Sequence, residues 1–386
     1  MLKSVHEVPR EVKIARYHMA ASMLLLFASS LWLLWKGVSV VSLYRVIPLV
    51  AMGSFTLLIM GTQRMLLNGI AKIKVAGTEN VAALSGSLCF SGSLGAFIFW
   101  DFRFLFSLLW SLAMIIHIST VGLSLLEKDP NELRKDRNFG DFAAIGILHI
   151  AAPIYGLVSA IIFPIAYSGA FPVPAAHHIL LQGFISGTIA GVSMTILPRF
   201  TEVNVPRNIL QPIAALLSIG PAFVAAGFFG NTASFALGAL MEAAGLIALG
   251  LSALYMIATS RYRKPSFYSY AFSAISVITG AFIGFLFTVG YTNLVPAHGF
   301  LNLYGFVAMM MFGAVIDMYS PAIIPSVPEI TLQFKGSVSL AVLGITATFT
   351  SLAFGNKMLG ITGLTMISVA ATLFLIGATS TLKRMR

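Results

Sequence analysis

Twelve long apolar stretches dominate this chain, and nearly every one is long enough to cross a lipid bilayer. Their approximate limits are 17–36, 41–63, 80–100, 104–126, 142–168, 174–197, 209–229, 233–259, 268–290, 295–319, 338–354 and 358–379, the eleventh being short. About 20 apolar residues in a helix span the hydrocarbon layer, and backbone groups in lipid must pair within their own helix. The sequence therefore predicts an all-α polytopic membrane protein with twelve transmembrane helices.

The composition supports this prediction and excludes several classes of protein. Hydrophobic residues make up 58% of the chain and charged residues 10%, whereas soluble proteins have about 25% charged residues. The single cysteine, Cys89, rules out an intrachain disulfide or a multi-cysteine metal site. There is no P-loop, dinucleotide fingerprint, zinc finger or nucleic-acid module. We expect membrane lipids and no nucleic acid as partners.

The distribution of lysine and arginine predicts the orientation. If the N-terminus lies in the cytoplasm, the inner segments carry 20 of these residues and the outer segments carry 4. Basic residues collect in cytoplasmic loops. We therefore expect a multi-pass protein of a prokaryotic plasma membrane with both termini cytoplasmic.

Three of the stretches carry a pair of glycines separated by eight residues. The pairs are Gly53/Gly61, Gly183/Gly191 and Gly305/Gly313. Their first members are 130 and 122 residues apart, and such near-regular similarity indicates an internal repeat. We predict a pseudo-threefold arrangement of four-helix units, at residues 17–126, 142–259 and 268–379, within one transmembrane domain, 1–386.

Five histidines lie inside or at the ends of the apolar stretches, where ionisable groups are costly and usually functional. His177 and His178 begin the sixth stretch and His298 begins the tenth, all on the outer side. His117 and His149 lie about 12–15 Å from the inner boundary at 1.5 Å per residue. Because their helices are consecutive and antiparallel, these two histidines could face each other.

The remaining histidines, His6 and His18, lie in or beside the basic N-terminal segment, and we expect them at the surface.

Paired histidines at two depths are what a membrane haem protein needs, since neutral imidazole binds haem iron axially. The alternative is that they form hydrogen bonds between helices. Arg45 and Arg103, at the outer ends of two stretches, could pair with haem propionates, or extend to water.

Two acidic residues lie within apolar stretches. Glu242 is near the middle of the eighth stretch, so it is either protonated or paired. It could relay protons or bind a ligand, or it could form a structural hydrogen bond to a neighbouring helix. Asp317, near the inner end of the tenth stretch, is expected at the interface.

The sequence resembles the catalytic subunit of haem-copper oxidases and nitric oxide reductases, and the NnrS family of membrane haem proteins. The resemblance rests on HGFLNLYGFVAMMMFGAVIDMYSP and, more weakly, on HHILLQGFISGTIAGVSMTILPRF. It implies twelve helices with threefold similarity and a haem, of the b type, near the outer surface. It also implies that His298 is an axial ligand of the haem iron, with His178 or His177 as second ligand or distal group. Other respiratory membrane subunits or a quinone are the implied partners.

Three ligand positions of the oxidases are empty in this sequence. Phe300 stands where the tenth helix of the family has its second histidine. The second stretch has Tyr44 and Arg45 near the corresponding position and no histidine, and the seventh stretch has no histidine either. We therefore expect no copper and no complete haem-copper centre. The resemblance still implies respiratory electron transfer or nitric oxide handling.

Two other functions fit the same sequence. The chain could be a non-catalytic anchor subunit of a respiratory complex, or a secondary transporter that uses Glu242 near mid-membrane. Whether the protein is an enzyme stays open at this point.

Overall fold

The computed structural model describes residues 10–69, 79–126, 146–262, 264–319 and 328–384. It confirms the prediction of an all-α protein with twelve helices that are long and apolar enough to cross a membrane. Nine of these helices are uninterrupted: α1 (Arg10–Lys36), α3 (Glu79–Ile98), α4 (Arg103–Leu126), α5 (Gly146–Tyr167), α7 (Arg207–Gly227), α8 (Thr232–Thr259), α9 (Pro265–Leu286), α11 (Pro328–Phe354) and α12 (Lys357–Arg384).

The eleventh helix is longer than the sequence suggested. Its apolar span runs from Leu332 to Phe354, 23 residues, and the helix itself begins at Pro328. The apolar stretch in the sequence predicts a start at residue 338, after Lys335. A lysine near the end of a membrane helix can extend its charge toward water, so the helix continues through it.

The other three helices, α2, α6 and α10, each contain a π-helical segment between two α-helical parts. Helix α2 comprises Val40–Ile47, Pro48–Phe55 and Thr56–Gly69; α6 comprises Val173–His178, Ile179–Ser186 and Gly187–Thr201; and α10 comprises Val295–Phe300, Leu301–Ala308 and Met309–Tyr319. In each case the middle, eight-residue part is the π-helix. Extended π-helix is rare and often occurs at functional sites.

These three helices form the centre of the molecule, and the other nine surround them. In the most apolar part of each helix, 89% of residues are buried in α2, 78% in α6 and 83% in α10, against 33–50% in the others. The outer helices pack side by side in the closed order α1, α3, α4, α5, α7, α8, α9, α11, α12 and back to α1. Each outer helix therefore has a face for lipid, and the central helices do not.

The glycine pairs explain how the central helices approach the ring. A Cβ atom on Gly53 would lie 2.5 Å from Leu25 of α1, and one on Gly183 would lie 2.5 Å from Tyr155 of α5. A Cβ atom on Gly305 would lie 2.6 Å from Ser276 of α9. Such distances are well inside van der Waals contact, so only glycine fits without movement of the neighbour.

The second glycine of each pair contacts the same outer helix one level further along. Gly61 lies against Ala15 of α1, Gly191 against His149 of α5, and Gly313 against Tyr270 of α9. Each pair therefore seats a central helix against the first helix of its own four-helix unit. The same contact occurs three times in the molecule, which is what the repeated glycine spacing encodes.

Candidate functional site

His298 lies in the short α-helical part of α10 that precedes the π segment, and its ring is held by α9. Its Nδ1 is 2.8 Å from the backbone carbonyl oxygen of Gly280. A carbonyl can only accept, so Nδ1 carries the proton and Nε2 of the neutral ring keeps its lone pair. The residue as a whole is half-buried. The Nε2 lone pair is therefore the one that a metal could use, and the donor nearest to it is the Asn302 amide nitrogen at 3.3 Å.

Two glycines on α9 make room for this arrangement. A Cβ atom on Gly284 would lie 2.7 Å from Cε1 of His298, and one on Gly280 would lie 2.7 Å from Oδ1 of Asn302. The amide nitrogen of Asn302 is 3.3 Å from each ring nitrogen of His298 and donates to the His298 carbonyl oxygen at 3.0 Å. The spacing Gly280-x-x-x-Gly284 thus provides a seat for one imidazole and one amide.

His178 forms a polar pair with Glu242 of α8. Its Nε2 is 2.8 Å from Oε1 of Glu242, and the two side chains are 19% and 10% exposed. The ring of Phe228, just after α7, lies 6.1 Å from the imidazole. Glu242 is therefore paired, and its partner His178 is one of the candidate haem ligands.

His178 and His298 are bonded to neighbouring helices of the ring. His178 bonds Glu242 of α8 and His298 bonds Gly280 of α9, and α8 and α9 pack against each other. We call the group of His178, Glu242, Gly280, His298 and Asn302 the His298 compartment. Each of its two imidazoles has one nitrogen tied to an oxygen atom of a neighbouring helix.

His177 points to a different part of the molecule, although it is adjacent to His178 in the chain. Its ring is 4% exposed, and neither ring nitrogen has a hydrogen-bond partner among the described residues. Aromatic rings surround it at centroid distances of 5.0 Å for Tyr44, 5.5 Å for Phe163 and 6.3 Å for Tyr167. Both of its nitrogens are chemically available, but side chains fill the space around the ring.

Arg45 and Arg103 lie near His177, on either side of a shared contact with Trp100. Their guanidinium carbons are 4.3 and 4.9 Å from the Trp100 ring centroid, and Arg103 is also 5.6 Å from the ring of Tyr167. Arg103 Nη1 donates to the Trp100 carbonyl oxygen at 2.9 Å. These contacts place both arginines near His177. They could therefore pair with the propionates of a haem only if His177 were the ligand of that haem.

The two deeper histidines are bonded to different helices. His117 Nε2 is 2.7 Å from Oε1 of Gln63 on α2, and His149 Nε2 is 3.3 Å from Oγ1 of Thr195 on α6. Each therefore contacts the central helix beside it. The geometry supports the alternative of hydrogen bonds between helices for both residues.

His18 corrects an expectation, because it is buried and not at the surface. Only 6% of it is exposed, and it fills the space left by Gly61 and Gly86. His6 lies outside the described residues. Asp317 is likewise tied into helix packing, since it accepts hydrogen bonds from Ser266 at 2.9 Å and Tyr270 at 3.0 Å.

The donor set of the His298 compartment fits a haem in one respect. A metal-bound histidine normally donates its second ring N–H to a carbonyl or carboxylate, and His298 has that arrangement with Gly280. His178 has it with Glu242 when that carboxylate is ionised. His177 lacks any such support among the described residues, which makes it a less suitable ligand.

Sequence reasoning missed Asn302, Gly280 and Gly284. Asn302 lies four residues after His298, one helical turn away, and the two glycines form a small-xxx-small motif. Both signals were present in the sequence. No known protein family matches the chain, and no curated protein matches it either.

Proposed function

We propose that this protein is an integral membrane haem protein whose haem is bound in the His298 compartment. The observation that carries the proposal is the hydrogen bond from His298 Nδ1 to the Gly280 carbonyl oxygen, 2.8 Å long, which leaves Nε2 unprotonated. We propose a role in respiratory electron transfer or nitric oxide handling, without a complete haem-copper centre. The bound haem, of the b type, would supply one-electron chemistry or an axial position for a gas.

The side chains of the compartment have separate roles in this proposal. His298 would hold the haem iron through Nε2, and the Gly280 carbonyl oxygen fixes the tautomer of the ring. The Asn302 amide, which lies 3.3 Å from both ring nitrogens, limits rotation of the imidazole. His178 would be the second ligand or a distal group, and Glu242 orients its ring through the hydrogen bond to Nε2.

An alternative position for the haem has its own support. His177 has two buried nitrogens without hydrogen-bond partners, and Arg45 and Arg103 meet at Trp100 nearby. Anionic propionates would pair with such arginines. The aromatic rings around His177 argue against this position, since they would have to move to admit a macrocycle.

The His178–Glu242 pair also supports a second candidate function, a secondary transporter. A carboxylate and an imidazole that meet inside a helix bundle can exchange a proton as a substrate moves. Transporters usually build such sites from discontinuous helices. Here the π segments leave the central helices continuous, which favours the haem proposal.

The deciding experiment is a reduced-minus-oxidised visible spectrum of the purified, haem-replete protein. We expect a b-type spectrum that is lost in His298→Ala and kept in the matched control His149→Ala. His178→Ala should keep the haem and change its spin state if His178 is the second ligand. Loss of the spectrum in His177→Ala alone would support the alternative position, and a colourless wild-type protein would refute the haem proposal.

A further inference from the structure

A cavity lies where the three central helices meet, away from the His298 compartment. Its free volume is about 50 Å³, several times the roughly 10–15 Å³ that a single water molecule needs. Helices α2, α6 and α10 supply its wall, together with Tyr270 of α9. Nothing in the proposed haem chemistry uses this space.

The wall of the cavity is almost entirely apolar. Side chains such as Phe55, Ile189, Ile196 and Met310 form most of it. A buried water molecule needs about two to four polar partners, and an apolar cavity of this kind stays dry and binds apolar molecules. The cavity is therefore large enough for water but poorly suited to hold it.

The polar groups at the wall do not change this conclusion. The amide oxygen of Gln63 accepts a hydrogen bond from His117 at 2.7 Å. The Tyr270 hydroxyl donates to Asp317 at 3.0 Å. The hydroxyl of Thr188 is buried without a hydrogen-bond partner among the described residues. The remaining polar side chains of the wall are Thr62 and Ser193. The accessible surface of the cavity is nonetheless almost entirely carbon, so a water molecule finds few partners there.

We propose that this cavity binds a small, uncharged, apolar molecule of the size of a diatomic gas. Such molecules dissolve in the hydrocarbon layer and need no hydrogen bonds from a binding site. The central helices carry nearly all of the wall and are surrounded by the ring of nine, so the free volume lies inside the helix bundle, where it is partly enclosed. The proposal does not depend on haem binding.

The test uses xenon as the probe, in crystals of the full-length protein pressurised with the gas. We expect an anomalous peak in the cavity of the wild-type protein. Ala314→Leu fills the cavity and should abolish the peak, whereas Met310→Ala enlarges it and should strengthen the peak. Ala236→Leu, at an exposed position of α8, is the matched control and should leave it unchanged.

Thr188→Val separates an apolar occupant from a polar one. The substitution removes the unpartnered hydroxyl and keeps the shape of the side chain, so xenon binding should persist. Ordered water or a lipid chain in the wild-type cavity would overturn the proposal. So would the absence of xenon from both the wild type and Met310→Ala, two proteins whose folding can be checked independently by thermal unfolding.

Discussion

At the scale of single residues, the His178–Glu242 pair makes a prediction about stability. Removal of one partner leaves a buried polar group unsatisfied, which costs about 1–3 kcal/mol. We expect Glu242→Ala to lower the free energy of unfolding by about that amount, and Glu242→Gln to lower it less because an amide can still bond His178 Nε2, 2.8 Å from the present oxygen.

The double variant checks whether the loss comes from this pair. If it does, His178→Ala combined with Glu242→Ala should cost much less than the sum of the two single substitutions, because the residues are coupled. The measurement is thermal unfolding of the purified variants. Additive losses would contradict the assignment of the effect to the hydrogen bond.

Thr188 makes the opposite prediction. Its hydroxyl is buried without a partner among the described residues, and such a group costs about 1–3 kcal/mol. Thr188→Val should therefore raise the melting temperature. Thr195→Val is the control. The Thr195 hydroxyl donates to the Gly191 carbonyl oxygen at 2.9 Å, so its removal should lower the melting temperature. A loss of stability in Thr188→Val would show that the hydroxyl has a partner, such as bound water.

At the scale of helices, the glycine seats can be tested with alanine. A Cβ atom on Gly183 would lie 2.5 Å from the Tyr155 ring, and overpacking of this kind costs about 1–3 kcal/mol. Gly122 of α4 has nothing within 4 Å of the same position, so Gly122→Ala should be neutral or stabilise the protein by up to about 1 kcal/mol. Equal effects of the two substitutions on thermal unfolding would contradict the claim that Gly183 is needed for the close contact between α6 and α5.

The helix scale also shows where sequence reasoning succeeded and where it stopped. Apolar length predicted twelve helices, because the bilayer sets that length. The rotation of each helix is not fixed by depth, so the sequence could not tell that adjacent His177 and His178 face different compartments. His18 was misjudged because it stands at the edge of a basic segment, while its burial depends on glycines of α2 and α3.

At the scale of the whole molecule, the π segments are a feature of how the three central helices pack together, and no local sequence motif marks them. They occur in α2, α6 and α10 at starting positions 131 and 122 residues apart, and the first segment contacts the other two. No composition signal marks them. Each π segment contains the first glycine of one of the three pairs, Gly53, Gly183 or Gly305. The glycine spacing is therefore the one sequence signal that indicates where these segments lie.

The orientation of the whole molecule gives the last prediction. Of the 24 lysines and arginines in the sequence, 20 belong to the segments that we predict to be cytoplasmic. The natural chain suits cysteine labelling, since its one thiol, Cys89, is fully buried. Ser168→Cys, in the exposed turn between α5 and α6, should react with a membrane-impermeant maleimide in intact cells. Asn204→Cys, between α6 and α7, should react only after lysis. The reverse pattern would show that the protein is inverted in the membrane, with the His298 compartment on the cytoplasmic side.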